Sequence, residues 1–336
     1  MDTIAFALIT VLAWGIWLAP SNGIPYASVR VRGFYVGAAN LLVAVLVALV
    51  AGIEGMTWGV AAWSALGGLI WSASGFFAFY ASALLGIARA MGIWAPLNVA
   101  FSFFWGIVLF GELRHTSMQQ WLVVALAVLL SLAGLHYILL SGRRGESDRV
   151  AVRTKGPLLA ALLAGGLWGS YFVPLQLSGA PVWTSVLPMS VGIFLGNALG
   201  VLLARDEIRL SSKSEYARSC LSGLLWGLGN YGSLKLMESI GTGQGFTIAQ
   251  LCVVVNALVG IYWLKQPRPG TSAARTALAG VVLATLGGAL LGAATFRLFS
   301  NRRKGVQALT LLTCVFGQDA RKSKRDACAP PNIRIV

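Results

Sequence analysis

Apolar residues occur along this chain in long runs separated by short polar breaks, and the runs have the length that crosses a bilayer. A helix needs about twenty mostly apolar residues to do so. That rule gives ten candidate spans: residues 2–20, 33–52, 59–82, 88–110 and 119–141, then 157–176, 183–204, 219–237, 243–264 and 275–296. The pattern predicts an all-α polytopic membrane protein with ten transmembrane helices. Its longest internal polar connection, 142–156, holds Arg143, Arg144, Glu146, Asp148, Arg149, Arg153 and Lys155, and separates residues 1–141 from 157–296. Residues 297–336 form a basic tail without membrane periodicity. Their one apolar run, Val306–Gly317, is too short to span, and they read as a disordered appendage.

The two halves repeat one another. Trp14-Gly15 with Pro20 in the first span is matched by Trp168-Gly169 with Pro174 in the sixth, a W-G-x-x-x-x-P pattern in both. Gly68-Leu69-Ile70-Trp71 parallels Gly223-Leu224-Leu225-Trp226, and Ile87–Gly92 parallels Ile240–Gly245. The chain is an internal duplication of five spans. Because five is odd, the second copy must enter the membrane from the opposite face. Two inverted five-helix repeats are the arrangement on which many secondary transporters build a midplane site and alternate its access.

Composition supports the membrane reading. The chain is 57% apolar and 11% charged, against about 25% charged for soluble domains. Its 40 glycines suit close helix approach in lipid. A net charge of +15 would suit nucleic acid, but its distribution reads as membrane topology. Basic residues gather in the loops after spans one, three, five, seven and nine, with Arg114 alone on the other side. Those loops are expected to be cytoplasmic, which sends both termini outward, whereas the basic tail favours the inside. Cys220, Cys252, Cys314 and Cys328 show neither metal-ligand spacing nor a disulfide framework, so no metal or cofactor is expected. The N-terminus lacks a basic stretch before its apolar run, so it is expected to be the first span and not a cleaved signal.

The chemistry is expected to centre on Gly223–Gln250, where glycines, Asn230, Tyr231, Lys235, Gln244 and Gln250 interrupt an apolar run at membrane depth. Polar groups there need a protein interior or a wet pathway. Trp14, Trp71, Trp94, Trp168 and Trp226 lie within spans, as do Asn98, Asn230, Gln244, Gln250 and Asn256. A hydroxyl-rich neutral solute has ring faces that stack on indole and hydroxyls that bond amides, so this set suits it. Interface anchoring by Trp and helix bridging by amides are the structural alternatives.

All 11 acidic residues lie in loops, in the tail or at span ends. Glu112, closing span four, and Glu238, closing span eight, are the candidates to carry a coupled proton, with interfacial anchoring as the alternative. His115 and His136 are expected to be structural. Lys235 shares a helix face with Glu238 three residues on. It either snorkels to the interface beside that partner or lines the solute path near a gate. Pro20, Pro96 and Pro174 are the expected helix breaks. Pro96, in Gly92–Asn98, removes one backbone hydrogen bond inside span four, and its counterpart Gly245–Leu251 has no proline but offers Thr247 and Gln250.

The blocks Gly223–Asn230 and Phe246–Gln250 resemble the second-half signature of the bacterial glucose/ribose porter family of the drug/metabolite transporter superfamily. Ala13-Trp14-Gly15 and Gly111-Glu112 are similar to the same superfamily, and the resemblance covers about residues 1–296. The first half departs from it with Trp71-Ser72-Ala73-Ser74-Gly75, and span nine ends Lys265-Gln266. The resemblance implies ten helices in two inverted repeats and sugar uptake, commonly by proton symport.

The expected function is therefore a secondary active or facilitative carrier in the inner (plasma) membrane, moving a neutral polyhydroxylated solute, foremost a monosaccharide, by alternating access. Trp71, Trp94, Asn98, Trp226, Asn230, Gln244 and Gln250 are its expected site, flanked by Trp14 and Trp168. An exporter of metabolites or drugs on the same fold is the first alternative, and a non-transporting assembly subunit the second. An intramembrane enzyme would need convergent nucleophile, base or metal ligands, and the spans offer no such set.

Overall fold

The structure is a computed structural model that describes residues 3–110, 117–144, 155–240 and 242–290. Every regular element among them is helical. In chain order these are α1 (Thr3–Ile16), α2 (Val29–Ala51), α3 (Trp58–Leu85), α4 (Ile87–Val108), α5 (Met118–Arg144) and α6 (Lys155–Trp168). Then follow α7 (Phe172–Leu177), α8 (Val182–Ala204), α9 (Lys213–Ile240), α10 (Thr242–Ala249) and α11 (Cys252–Leu258). A π-helical turn, Val259–Trp263, extends α11, and α12 is Ser272–Leu290.

Among the described residues seven helices are long and apolar enough to cross a membrane: α2, α3, α4, α5, α8, α12, and α6 with α7 taken as one. The α1 helix and the run Cys252–Trp263 are apolar but shorter. At 28 residues α9 has the length, but Asn230, Lys235, Glu238 and its serines dilute its apolarity. Leu46, Leu49, Val50, Leu129, Leu202 and Leu203 are among many large side chains exposed on the outside, a surface suited to hydrocarbon and not to water.

Helix starts and stops follow local chemistry. The Ser28 hydroxyl accepts from the amides of Arg30 and Val31 and caps α2, and Thr57 caps α3 through Val60. Predicted span 2–20 is helical only to Ile16, because the ring of Pro20 would collide with the carbonyl four residues back, that of Ile16. Predicted span 157–176 divides into α6 and α7 for the same reason, with Pro174 in the first turn of α7, where no amide is needed. At Pro96 the expectation of a break is corrected, since α4 runs unbroken from Ile87 to Val108. The break falls instead in the proline-free copy, at Gln250-Leu251 between α10 and α11. The predicted linker is also shorter at both ends, since α5 continues to Arg144 and α6 starts at Lys155. The rest of it, Glu112, His115 and the tail lie outside the described residues.

The core lies where α3 packs on α6 and α8, α2 on α8 and α9, α1 on α9 and α11, and α4 on α6, α10 and α11. Glycine makes the α3–α8 crossing close: a Cβ on Gly68 would stand 2.0 Å from the Met189 carbonyl oxygen, and one on Gly192 2.1 Å from that of Ala65.

Polar ties mark the two ends of the bundle. At one, Asp206 after α8 takes Arg30 of α2 in a two-pronged pair (2.6 and 3.1 Å) and accepts from Ser28 at 2.6 Å. The Arg30 and Ser28 hydrogen bonds hold the Asp206 carboxyl below its ordinary pKa. At the other, Thr184 of α8 donates to the Glu54 carbonyl (2.7 Å), and Glu238 of α9 accepts from the Val182 amide (3.4 Å). Lys235 pairs with Glu238 and lies 5.0 Å from the Trp183 ring centroid.

Candidate functional site

The helix interruptions converge on one cavity of about 40 Å³, room for a few waters. From the first half come Trp14 of α1, Trp17 just past its end, Trp71 of α3, and Met91, Trp94 and Asn98 of α4. The second half contributes Trp168 and Tyr171 around the α6–α7 break, Trp226 of α9, and Phe246, Gln250 and Cys252 around the α10–α11 break. Among the described residues no Asp, Glu, Lys, Arg or His lines it.

Indoles form its frame. Trp71 meets Trp226 at 4.2 Å between ring centroids and Trp168 at 5.9 Å. Trp168 in turn meets Trp94 edge-on at 5.1 Å and Trp17 at 6.1 Å. Trp14 is fixed by its ring N–H, which donates to the Trp226 carbonyl at 3.2 Å. Two glycines let the interrupted helices reach this centre. A Cβ on Gly15 would sit 2.5 Å from Val255 of α11, and one on Gly169 2.6 Å from the Cβ of Phe101 and 2.9 Å from the Asn98 carbonyl, both on α4. The matched Trp-Gly pairs thus each set an indole at the cavity beside a backbone contact.

Polar groups complete it. Asn98 and Gln250 line the wall, and the Tyr171 hydroxyl donates to Asn230 Oδ1 at 3.0 Å. Asn230 lies one layer behind, fully buried, and among the described residues its Nδ2 has no partner; Trp168 Nε1 is likewise buried and unpaired among them. Buried donors of this kind call for water or ligand oxygens. The site can therefore stack a ring face and bond hydroxyls while holding no fixed charge.

Of the nine residues expected from sequence, Trp14, Trp71, Trp94, Asn98, Trp168, Trp226 and Gln250 meet at this cavity. Trp14 and Trp168, expected to flank the site, are part of its wall. Asn230 reaches it through Tyr171. Gln244 lies in α10, and its side chain is outside the described residues. Pro20, Pro174 and Pro96 lie beside the cavity's elements without lining it, and Lys235 and Glu238 stand apart, at one end of α9. Sequence reasoning missed Trp17 and Tyr171, although the W-G-x-x-x-x-P blocks held the signal: each is the aromatic third after the matched Trp. Met91 and Phe246 lay inside blocks already singled out, Ile87–Gly92 and Phe246–Gln250, without being picked as site residues, and Cys252 carried no comparable sign.

An all-helical fold with several membrane-length helices around an aromatic and amide cavity defines a multi-pass membrane protein by class. The family profile "Sugar transport protein" matches residues 5–294, and the chain belongs to that family. It is 22% identical over 287 residues to the "Putative sugar uptake protein" of Lactobacillus helveticus, covering 85% of this chain and 99% of the relative. To the protein of the same name designated YxfA, from Lactococcus lactis subsp. lactis, it is 25% identical over 304 residues, covering 87% and 98%. A protein known from a crystal structure shares the fold with a TM-score of 0.56 at 20% identity, covering 88% of this chain and 97% of its own.

Proposed function

We propose that this protein carries a neutral monosaccharide across the bacterial inner membrane by alternating access, at the tryptophan-lined cavity. The observation that carries the reading is the joint presence of six indoles, Asn98, Gln250 and Tyr171 at a cavity whose described lining holds no charged group. Indole faces stack on sugar rings, and the amides and phenol exchange hydrogen bonds with hydroxyls. The cavity is too small for a hexose as it stands, so its walls must part to load one.

Ten spans in two inverted five-helix repeats are the architecture we infer. In support, the helix pairings survive exchange of the two halves. The α1–α9 contact has its counterpart in α3–α6, α2–α9 in α3–α8, and α1–α11 in α4–α6. The loops rich in basic residues belong on the cytoplasmic side.

Facilitated diffusion accounts for a lining without a titratable carboxyl among the described residues. Proton coupling would place the proton on Glu112 or on Glu238, which sits 36% exposed beside Lys235. Export of an apolar metabolite is the second reading, favoured by the sheer number of indoles. The test is uptake of a panel of labelled sugars into proteoliposomes, with and without a proton gradient. Saturable uptake of one sugar, lost in Asn98→Ala and Gln250→Ala variants that still insert, supports the reading. No uptake of any sugar by verified, inserted protein overturns it and turns attention to export.

A further inference from the structure

One buried cation next to the cavity takes no part in the site described so far. Arg32, near the start of α2, is 6% exposed. Among the described residues no carboxylate lies within ion-pair distance of it. A guanidinium out of water needs a partner for its charge, and here the partners are neutral. Its Nη2 donates to the Leu18 carbonyl at 2.9 Å and its Nε to Ser21 Oγ at 3.0 Å. Both acceptors belong to the non-helical segment that follows α1, where the helix end leaves partial negative charge. The Arg32 guanidinium also lies over the Phe79 ring of α3 at 4.8 Å, and Phe79 packs on Trp17 at 5.6 Å. Trp17, the residue before Leu18, is a wall of the cavity.

Arg32 therefore holds the unwound segment just after Trp17, through the Leu18 carbonyl and the Ser21 hydroxyl, and reaches Trp17 itself through the Phe79 ring that it packs against. The same segment is tied from the other side by α9. Arg218 donates to the carbonyls of Pro20 and Asn22 at 2.8 and 2.7 Å, and Ser222 accepts from the Ser21 amide at 3.1 Å. Arg218 is an exposed residue at the rim of the bundle, whereas Arg32 is sealed between that rim and the indoles.

We propose that Arg32 is the positioning residue of the cavity. It holds Trp17 in place and so closes the site toward the end of the bundle where α2 and α9 begin. This rests on the carrier reading above. Opening toward that end requires the fork from Arg32 to Leu18 and Ser21 to part, while the opposite end, tied by Thr184 and Glu238, is unaffected.

The test uses the full-length chain with Cys220, Cys314 and Cys328 replaced by serine, which leaves Cys252, a cavity-lining thiol, as the single cysteine. A membrane-impermeant methanethiosulfonate is added to one face of the vesicles and then to the other. A parallel sample carrying Arg209→Cys in a Cys252→Ser background identifies the face to which the α2 and α9 starts belong. Arg32→Gln should speed labelling of Cys252 from that face by at least about tenfold, the factor implied by losing a hydrogen bond to a charged donor. Labelling from the opposite face should not change, and Arg32→Lys, which keeps the charge but not the fork, should be intermediate. Where Arg32→Gln does not insert, Ser21→Ala removes one acceptor and should shift labelling the same way by a smaller factor. An unchanged rate from that face, or equal acceleration from both faces, overturns the proposal. Because the readout is thiol access and not uptake, a failed sugar panel with a one-sided labelling shift sinks only the sugar reading.

Discussion

Trp71 and Trp226, the matched tryptophans of the two halves, stand 4.2 Å apart between ring centroids at the centre of the bundle, with their planes tilted by 49°. Each is almost wholly buried, and together they form a wall of the cavity. Removing an indole would open a void and cost about 3–5 kcal/mol of stability, so phenylalanine is the informative replacement. Trp226→Phe should keep the fold and weaken binding of the transported sugar by up to about tenfold, the upper range of an aromatic contact. Titration of binding by calorimetry checks this, and unchanged affinity in a well-folded variant would argue against stacking at this pair.

Tyr171 and Asn230 make a contact that can be tested apart from transport. Tyr171→Phe removes the donor to Asn230 Oδ1 and leaves that amide, already lacking a partner at Nδ2, with neither polar end paired to a side chain. The expected loss is about 1–3 kcal/mol. Pairing it with Asn230→Leu removes the orphaned amide as well and should recover part of the loss. Thermal unfolding in detergent of the two single variants and the double variant gives the coupling. Simple additivity would mean that the hydrogen bond contributes nothing to stability.

Much of this organisation was legible in the sequence. Each of the ten predicted spans coincides, over its described residues, with a helix or with two consecutive ones, because membrane depth leaves the backbone no other way to satisfy its hydrogen bonds. The repeated Trp-Gly pairs pointed to the cavity because an indole and a close backbone contact are needed together at each helix interruption. Less legible were the interruptions themselves. Pro20 and Pro174 act on the carbonyl four residues back, so each helix ends before the proline, while Pro96 is absorbed within α4. The turn at Gln250 has no proline to announce it. Long-range contacts such as Tyr171 to Asn230, or Arg32 to Leu18, leave no local pattern at all, since they depend on which helix faces which.

The Arg30–Asp206 pair should make one end of the bundle acid-sensitive. Its carboxyl is held below the ordinary range chiefly by the hydrogen bond from Arg30, then by that from Ser28. A depressed folded-state pKa means that stability is present above the unfolded value, about 4, and is lost as pH falls through the folded value. With Arg30 35% exposed, the contribution is discounted for solvent screening to about 0.5–1 kcal/mol. Asp206→Asn should therefore lower the melting temperature slightly at pH 7, and the difference from the parent should shrink as pH falls below the ordinary carboxylate value of about 4. A constant difference across that range would show that the pair's charge does not matter.

Gly169 and Gly166 lie one turn apart, and only the first touches the site's backbone. A Cβ at 166 would meet the rim of the Phe101 ring at 3.3–3.7 Å, a side chain that can yield by a few tenths of an ångström. At 169 it would press on the Phe101 Cβ at 2.6 Å and on the Asn98 carbonyl at 2.9 Å. Neither can move without shifting α4. Gly166→Ala, inside α6, should be neutral or stabilising by up to about 1 kcal/mol through helix propensity. Gly169→Ala should cost about 1–3 kcal/mol as an overpacked contact. Because the strain falls on Asn98, which lines the cavity, Gly169→Ala should also weaken sugar binding, whereas Gly166→Ala should leave it unchanged. Melting temperature and binding affinity measured on both variants separate the two effects. Equal behaviour of the two would mean that the close approach of α6 to α4 does not shape the site.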